Sequence, residues 1–318
     1  MASLNIAGYI QGAIYPNSNN TQPVSQTISD LQSSGLETVI LGLAHIGRDY
    51  AINPIQITGD LYFNGTLIFS QGSYVGDASW PAEIDSLIGG SIKRVCLSIG
   101  GAGNVIYDFQ TIMKIYQGNN NSFSGTNLEA NFRKLKTTLP KISVIDMDCE
   151  ETYDQASFVA FCQMLIGIGF EITFCPYRAQ SFWTGSLAAL ETSNPGAVKW
   201  INLQCYDGGG SNDPANWAQQ IKTALTTFDT DGFILAGDWS RFIYYSNGQP
   251  VYWMGRSTAD VQSHLHGFSS ETCVGGGFIW TLDQIIDYQH NQSILPDPSY
   301  AASNGSISDY VKAILKAL

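Results

Sequence analysis

Short apolar runs rich in β-branched residues recur along the chain, set apart by polar or amphipathic stretches. Runs of this length and composition are read as buried strands. Eight occur, over 4–10, 38–44, 93–99, 142–149, 171–176, 199–205, 232–237 and 276–281. Helical patterns fall between them, over 24–34, 80–89, 126–138, 155–168, 183–191, 214–228 and 258–268, and a last one over 306–317 follows the eighth run. In 155–168 the apolar positions 158, 159, 161, 162, 165 and 166 make one helical stripe, with Asp154 placed to cap it. Residues 60–70 carry Asn64-Gly65 between alternating apolar residues, the mark of a type I′ hairpin, expected as an excursion after the second strand. Residues 117–125 are loop-like, and no stretch reads as a linker.

Eight strand–helix units predict a single α/β domain over 1–318, closed as a (β/α)8 TIM barrel. An open doubly wound sheet would want a Gly-rich phosphate turn after its first strand, and residues 8–16 (GYIQGAIYP) do not supply one.

Composition narrows the function. Of 318 residues, 44% are hydrophobic, which excludes a disordered chain. The 15 basic residues against 27 acidic ones leave a net charge of −12, which argues against nucleic-acid binding and against docking on an anionic membrane. Six cysteines, at 96, 149, 162, 175, 205 and 273, form no close pair and are expected as buried free thiols, not as a disulfide framework or metal site. The four histidines show no metal-ligand spacing, and His264 and His266 should point in different directions. The N-terminal residues have neither a basic nor an apolar leader region, and no run reaches membrane-spanning length. The expected location is cytoplasmic, or exported with the leader already removed; the thiols favour the first.

The chemistry concentrates in residues 142–150 (ISVIDMDCE), where three carboxylates alternate with Met147 and Cys149. Alternate residues of a strand share a face, so Asp146, Asp148 and Glu150 line one side while Met147 and Cys149 face the helices. Each inward charge costs several kcal/mol, of order, to desolvate unless it is partnered. Clustered acids also raise one another's proton affinity, which suits a general acid near neutral pH. A solvated edge strand does not fit the flanking Ile142, Val144 and Ile145, and a Ca²⁺ loop would want a glycine turn. Alternation points Glu151 away from this face.

This stretch resembles the D-x-x-D-x-D-x-E signature of glycoside hydrolase family 18, the chitinases and chitinase-like proteins, with Ser143 in place of the first Asp. Other landmarks follow in order: Ser98, Gly100 and Gly101 of an S-x-G-G motif on strand three; Gln204, Tyr206 and Asp207 at the end of strand six; and Trp280 after the glycines 275–277 on strand eight. Tyr9 stands on strand one where the family has an aromatic residue. The resemblance covers nearly the whole chain. It implies a retaining hydrolysis of β-linked N-acetylglucosamine in which the substrate's acetamido oxygen is the nucleophile, with no metal or organic cofactor. Glu150 is then the proton donor, Asp148 orients the acetamido group, Asp146 supports Asp148 and shares a proton with it, and Tyr206 holds the acetamido carbonyl. Gln204 and Asp207 position the sugar, Trp280 stacks beneath it, and Ser98, Gly100 and Gly101 give structural support. Tyr9, Tyr177 and Trp239 are further candidate sugar contacts, as are Trp183 and Trp253; of these, Tyr177, Trp183, Trp239 and Trp253 are each equally readable as packing. The segment 238–275 is too short for the extra α+β domain of some members, so a shallow, open groove is expected, with Tyr244, Tyr245, Tyr252 and Trp253 along a loop. The partner implied is a poly- or oligosaccharide containing N-acetylglucosamine; oligomeric state is not legible. Three activities fit: an endo-acting chitinase, an endo-β-N-acetylglucosaminidase cutting N-glycan cores, and a non-catalytic glycan-binding lectin. The presence of Glu150, which such lectins usually lose, favours an enzyme.

Overall fold

A computed structural model describes residues 4–17, 20–47, 57–102, 107–297 and 305–318. Eight parallel strands close into a barrel: strand one Asn5–Ile10, two Thr38–Ile46, three Arg94–Gly100, four Ile142–Asp148, five Glu171–Phe174, six Val198–Gln204, seven Ile234–Trp239 and eight Val274–Trp280. Strand one pairs with strand two on one side and with strand eight on the other, which leaves no barrel edge. The predicted strands and the helices between them are all present, with ends shifted by a few residues. Two helices were not anticipated, Asp108–Gly118 after strand three and Leu282–His290 after strand eight. Both carry a helical apolar stripe, Phe109/Ile112 in one and Leu282/Ile285/Ile286 in the other.

Alternation along each strand divides the core in two. Between strands and helices lies the larger apolar layer, which includes Ile145, Met147 and Cys149. Inside the barrel a smaller cluster comprises Ala7, Tyr9, Ile40, Cys96, Val144, Cys175, Trp200, Tyr206, Leu235 and Phe278. All six cysteines are buried and free. His264 and His266 do diverge, the first meeting Asp238 and the second the Ala317 carbonyl.

Two antiparallel hairpins leave the barrel. The first, Leu61–Phe63 with Thr66–Ser70, joins strand two through Leu61–Phe63 and turns at Asn64 (φ +46°) and Gly65 (φ +87°), the positive φ values a type I′ turn needs. The second, Phe242–Ser246 with Gln249–Met254, replaces the loop expected after strand seven. Among the described residues, no helix is long and apolar enough to cross a membrane.

Closure depends on close backbone approach at strand eight. A Cβ on Gly275 would lie 2.1 Å from the Gly232 carbonyl oxygen, and one on Gly276 (φ +153°) 1.9 Å from that of Asn5. Gly276→Ala is therefore expected to cost about 2–3 kcal/mol. The urea midpoint should fall at unchanged m-value; an unshifted midpoint would show that strands one and eight can separate to admit the methyl.

Candidate active site

Strand four delivers its acids to the barrel interior. Asp146 is fully buried, and four donors from four strands converge on it. Tyr9 Oη (2.9 Å) and Ser98 Oγ (2.7 Å) donate to Oδ2; Thr173 Oγ1 (2.7 Å) and Asn202 Nδ2 (3.0 Å) donate to Oδ1. Burial pushes its carboxyl up and the four hydrogen bonds pull it back. Asp146 was expected to share a proton with Asp148; its acceptor directions are occupied by these four donors, and its charge is among the causes that raise Asp148.

Asp148 also neighbours Glu150. One amide, Gln204 Nε2, bridges the two carboxyls, and each is among the groups that shift the other's proton affinity. Burial first, then the charges of Glu150 and Asp146, push Asp148 well above the usual carboxylate range. Burial also raises Glu150, against hydrogen bonds from Gln204 and Asp148 and the nearby Arg178 charge. Strand four ends at Asp148, so the pleat does not extend to Glu150 as the alternation argument assumed. Contacts orient it: Gln204 Nε2 lies 3.1 Å from both Glu150 Oε1 and Asp148 Oδ1, and Arg178 donates to the Glu150 carbonyl at 3.4 Å.

Glu151 turns outward as expected, but not to solvent. Its Oε1 accepts from the backbone N–H groups of Phe109 (2.6 Å) and Gln110 (3.4 Å), at the start of the helix Asp108–Gly118. Asp108, which opens that helix, is bound to His45 Nδ1 (2.8 Å) and the Ile46 N–H (2.7 Å). The segment carrying Glu150 is thus tied to strand two through a helix terminus.

The pair faces a cavity of about 380 Å³ at the C-terminal end of the barrel. Of the anticipated residues, Tyr9, Gly101, Asp148, Glu150, Tyr177, Gln204, Tyr206, Asp207, Trp239 and Trp280 line it. Tyr206 stacks on Trp239 at 6.2 Å, and burial holds its hydroxyl protonated by raising its pKa well above the usual value. Among the described residues that hydroxyl has no hydrogen-bond partner. Tyr9 lines the wall, yet its hydroxyl is committed to Asp146. Ser98 and Asp146 lie beneath the cavity and do not line it. Gly100 makes room for the backbone of Asp148 and Gly101 for the side chain of Leu43: a Cβ on Gly100 (φ +111°) would sit 2.2 Å from the Asp148 carbonyl oxygen, to which the Gly101 N–H donates at 2.8 Å, and one on Gly101 would sit 2.4 Å from Leu43 Cδ1. Trp183 is core, packed on Phe158 and Phe174, and Trp253 packs on Tyr288. Ser143 stands where the pairing of strands three and four shifts register, outside the acid cluster.

Sequence reasoning missed Thr173, Asn202 and Cys175. Cys175 lines the cavity and interacts with Asp148 and Tyr9. The signal was present: Trp200, Asn202, Gln204 and Tyr206 have one parity on strand six, and Thr173, Cys175 and Tyr177 share parity across the end of strand five. Gly208 was missed as well. A Cβ there would come 1.6 Å from Tyr177 Oη, so the glycine lets Tyr177 reach the cavity.

No protein-family model matches the chain, and no curated protein does. Solved structures do. The catalytic domain of a family GH18 chitinase from the fern Peteris ryukyuensis matches at TM-score 0.53 and 15% identity, over 98% of this chain and 99% of that one. A GH18 chitinase from the chitin utilization locus of Flavobacterium johnsoniae matches at 0.59 and 14%, over 100% and 94%. Active domain 2 of a thermostable chitinase from Pyrococcus furiosus, solved with chito-oligosaccharides, matches at 0.58 and 13%, over 100% and 95%. These likenesses show that the chain has the fold of those catalytic domains.

The four donors on Asp146 generate a prediction. Thr173→Val keeps shape and removes one hydrogen bond to a buried carboxylate, at a cost of about 2 kcal/mol. Losing a donor raises the folded-state pKa of Asp146 further. The deficit is then full above that pKa and shrinks as the pH falls through it. Urea unfolding at neutral pH and near pH 4 reads both; an equal deficit at the two pH values would mean that Asp146 does not change protonation between them in the fold.

Proposed function

We propose that the chain is a retaining, substrate-assisted glycoside hydrolase of β-1,4-linked N-acetylglucosamine polymers. The observation that carries this is the closeness of Asp148 and Glu150 in one cavity, where the Gln204 amide nitrogen lies 3.1 Å from an oxygen of each. In the two-carboxylate schemes the carboxyl groups stand about 5 Å apart when one is the nucleophile, and about 6.5–9.5 Å apart when one activates water. Two carboxyl oxygens held at 3.1 Å by one amide nitrogen are too close for the water-activating arrangement, and the retaining outcome is read with the nucleophile on the substrate, as the motif resemblance implies. The motif resemblance and the fold of the three chitinase catalytic domains support the same reading.

In this mechanism the acetamido oxygen attacks the anomeric carbon while Glu150 gives its proton to the leaving oxygen. The glycosidic bond breaks and an oxazolinium ion forms. Asp148 accepts from the acetamido N–H and stabilises the developing charge. The unpaired Tyr206 hydroxyl donates to the acetamido oxygen and holds it in line. Glu150, now a carboxylate, takes a proton from the water that opens the oxazolinium ring, and the product keeps its configuration. Asp146 fixes the floor beneath Asp148, Gln204 and Asp207 position the sugar, and Trp280 offers its ring to the sugar's apolar face.

Glu150→Gln should abolish turnover, with a loss of at least about 100-fold, while leaving oligosaccharide binding and melting temperature near wild type. Hydrolysis of colloidal chitin, compared with release of glycans from a high-mannose glycoprotein, assigns the substrate. Binding of either without turnover would leave a lectin.

The pH profile gives a second test. The first step needs Glu150 protonated, so activity is lost as the pH rises through the upper apparent pKa of the Asp148–Glu150 pair. That value is high because the last proton leaves a dianion. Asp148→Asn removes the like charge and should move the alkaline limb to lower pH, besides slowing turnover. A limb that stays in place would show that the two carboxyls titrate independently.

A further inference from the structure

The second hairpin contains no charged residue; Phe242–Met254 reads FIYYSNGQPVYWM in a chain of net charge −12. Its two faces differ. On one, Ile243 is buried, while Trp253 meets Tyr288 edge-on at 4.6 Å and donates its indole N–H to the Leu295 carbonyl at 3.1 Å. That face anchors the hairpin on the barrel. Strand alternation places Phe242 and Tyr244 on the other face, opposite Met254 and Tyr252.

This second face is continuous with the cavity. Tyr206 stacks on Trp239, Trp239 meets Phe242 edge-to-face at 5.7 Å, and Trp239 and Phe242 both line the cavity. One same-face step further, about 7 Å along the strand, Tyr244 and Tyr252 stack across the hairpin at 5.0 Å with a 24° tilt. They are 41% and 49% exposed and lie outside the cavity lining.

We infer that the Tyr244–Tyr252 pair is a distal saccharide platform, on which a chain leaving the cavity past Trp239 and Phe242 comes to rest. The inference builds on the hydrolase reading and extends it to a site beyond the catalytic cavity. A surface with rings and hydroxyls but no charge suits a neutral, polyhydroxylated ligand, whose apolar ring faces stack on tyrosine while its hydroxyls stay wet. It does not suit an ionic partner. Anchoring of the hairpin uses the opposite face, which leaves the pair free for this task.

The test is the double variant Tyr244→Ala/Tyr252→Ala, with Tyr245→Ala, the exposed neighbour across the register shift and opposite Pro250, as control. A short aryl chitobioside that needs only the cavity should keep kcat and KM within about twofold. On colloidal chitin the KM should rise about tenfold, and in the Glu150→Gln background the affinity for a chitohexaose should fall by a similar factor. Restoring both rings with Tyr244→Phe/Tyr252→Phe should recover most of either loss. Equal effects on short and long ligands, no effect on the long ones, or a matching effect of Tyr245→Ala would each overturn the platform. So would a change from dimer to monomer in sedimentation without loss of polymer affinity, which would assign the pair to self-association. If wild type turns over neither substrate, the hydrolase reading fails, and hexaose binding still decides the platform.

Discussion

A carboxylate in the middle of a closed barrel is the constraint on which the rest of this structure turns. Asp146 has no contact with solvent, and its charge is tolerable only because strands one, three, five and six each send one donor to it. The four bonds act between elements distant in sequence, so they fix the relative positions of five of the eight barrel strands at the level of the site. Their electrostatic effect reaches upward. The Asp146 charge is among the causes that raise Asp148, Tyr9, Cys175 and Cys96, keeping the hydroxyl and the thiols neutral and favouring a proton on the Asp148–Glu150 pair.

Above that floor the geometry is set by absent side chains. Strand three can lie against the Asp148 carbonyl only because residue 100 has no Cβ, and the Gly101 N–H then holds that carbonyl. Gly208 does the same for Tyr177 on the opposite wall. The end of strand four is thus gripped on its backbone by one glycine pair, while its side chains are gripped by Gln204. Preorganisation of this kind matters most for a group such as Glu150, which lies beyond the last paired residue of its strand and has no pleat to orient it.

Most of this was legible in the sequence where a period carried it. Eight apolar runs gave eight barrel strands, and two-residue alternation placed Asp146 and Asp148 inside and Met147 and Cys149 outside. The same alternation was available for Asn202 and Thr173, but a single Asn or Thr in a strand has many uses, and only convergence in three dimensions gives these two their role. Glu150 and Glu151 mark the limit of the method. Past Asp148 the period no longer applies, and what separates the two glutamates is Gln204 on one side and a helix terminus on the other. The second hairpin was missed for a different reason. Its Asn247-Gly248 turn is as good a signal as Asn64-Gly65, but the flanking residues are aromatic on both faces and show no apolar–polar alternation.

On the proposed hydrolase reading, the acid cluster and the neutral hairpin answer one requirement, that of handling an uncharged substrate through a charged transition state. Charge is useful where charge develops, and on that reading the acids Asp146, Asp148 and Glu150 stand there, each held by hydrogen-bond donors of the barrel. Elsewhere along a saccharide nothing becomes charged during reaction, and fixed charges there would only be desolvated without gain. Rings that cover apolar faces and hydroxyls that tolerate water are sufficient. A surface that passes from Asp148 and Glu150, through Tyr206, Trp239 and Phe242, to Tyr244 and Tyr252 grades from charged to aromatic as the distance from the reacting bond grows.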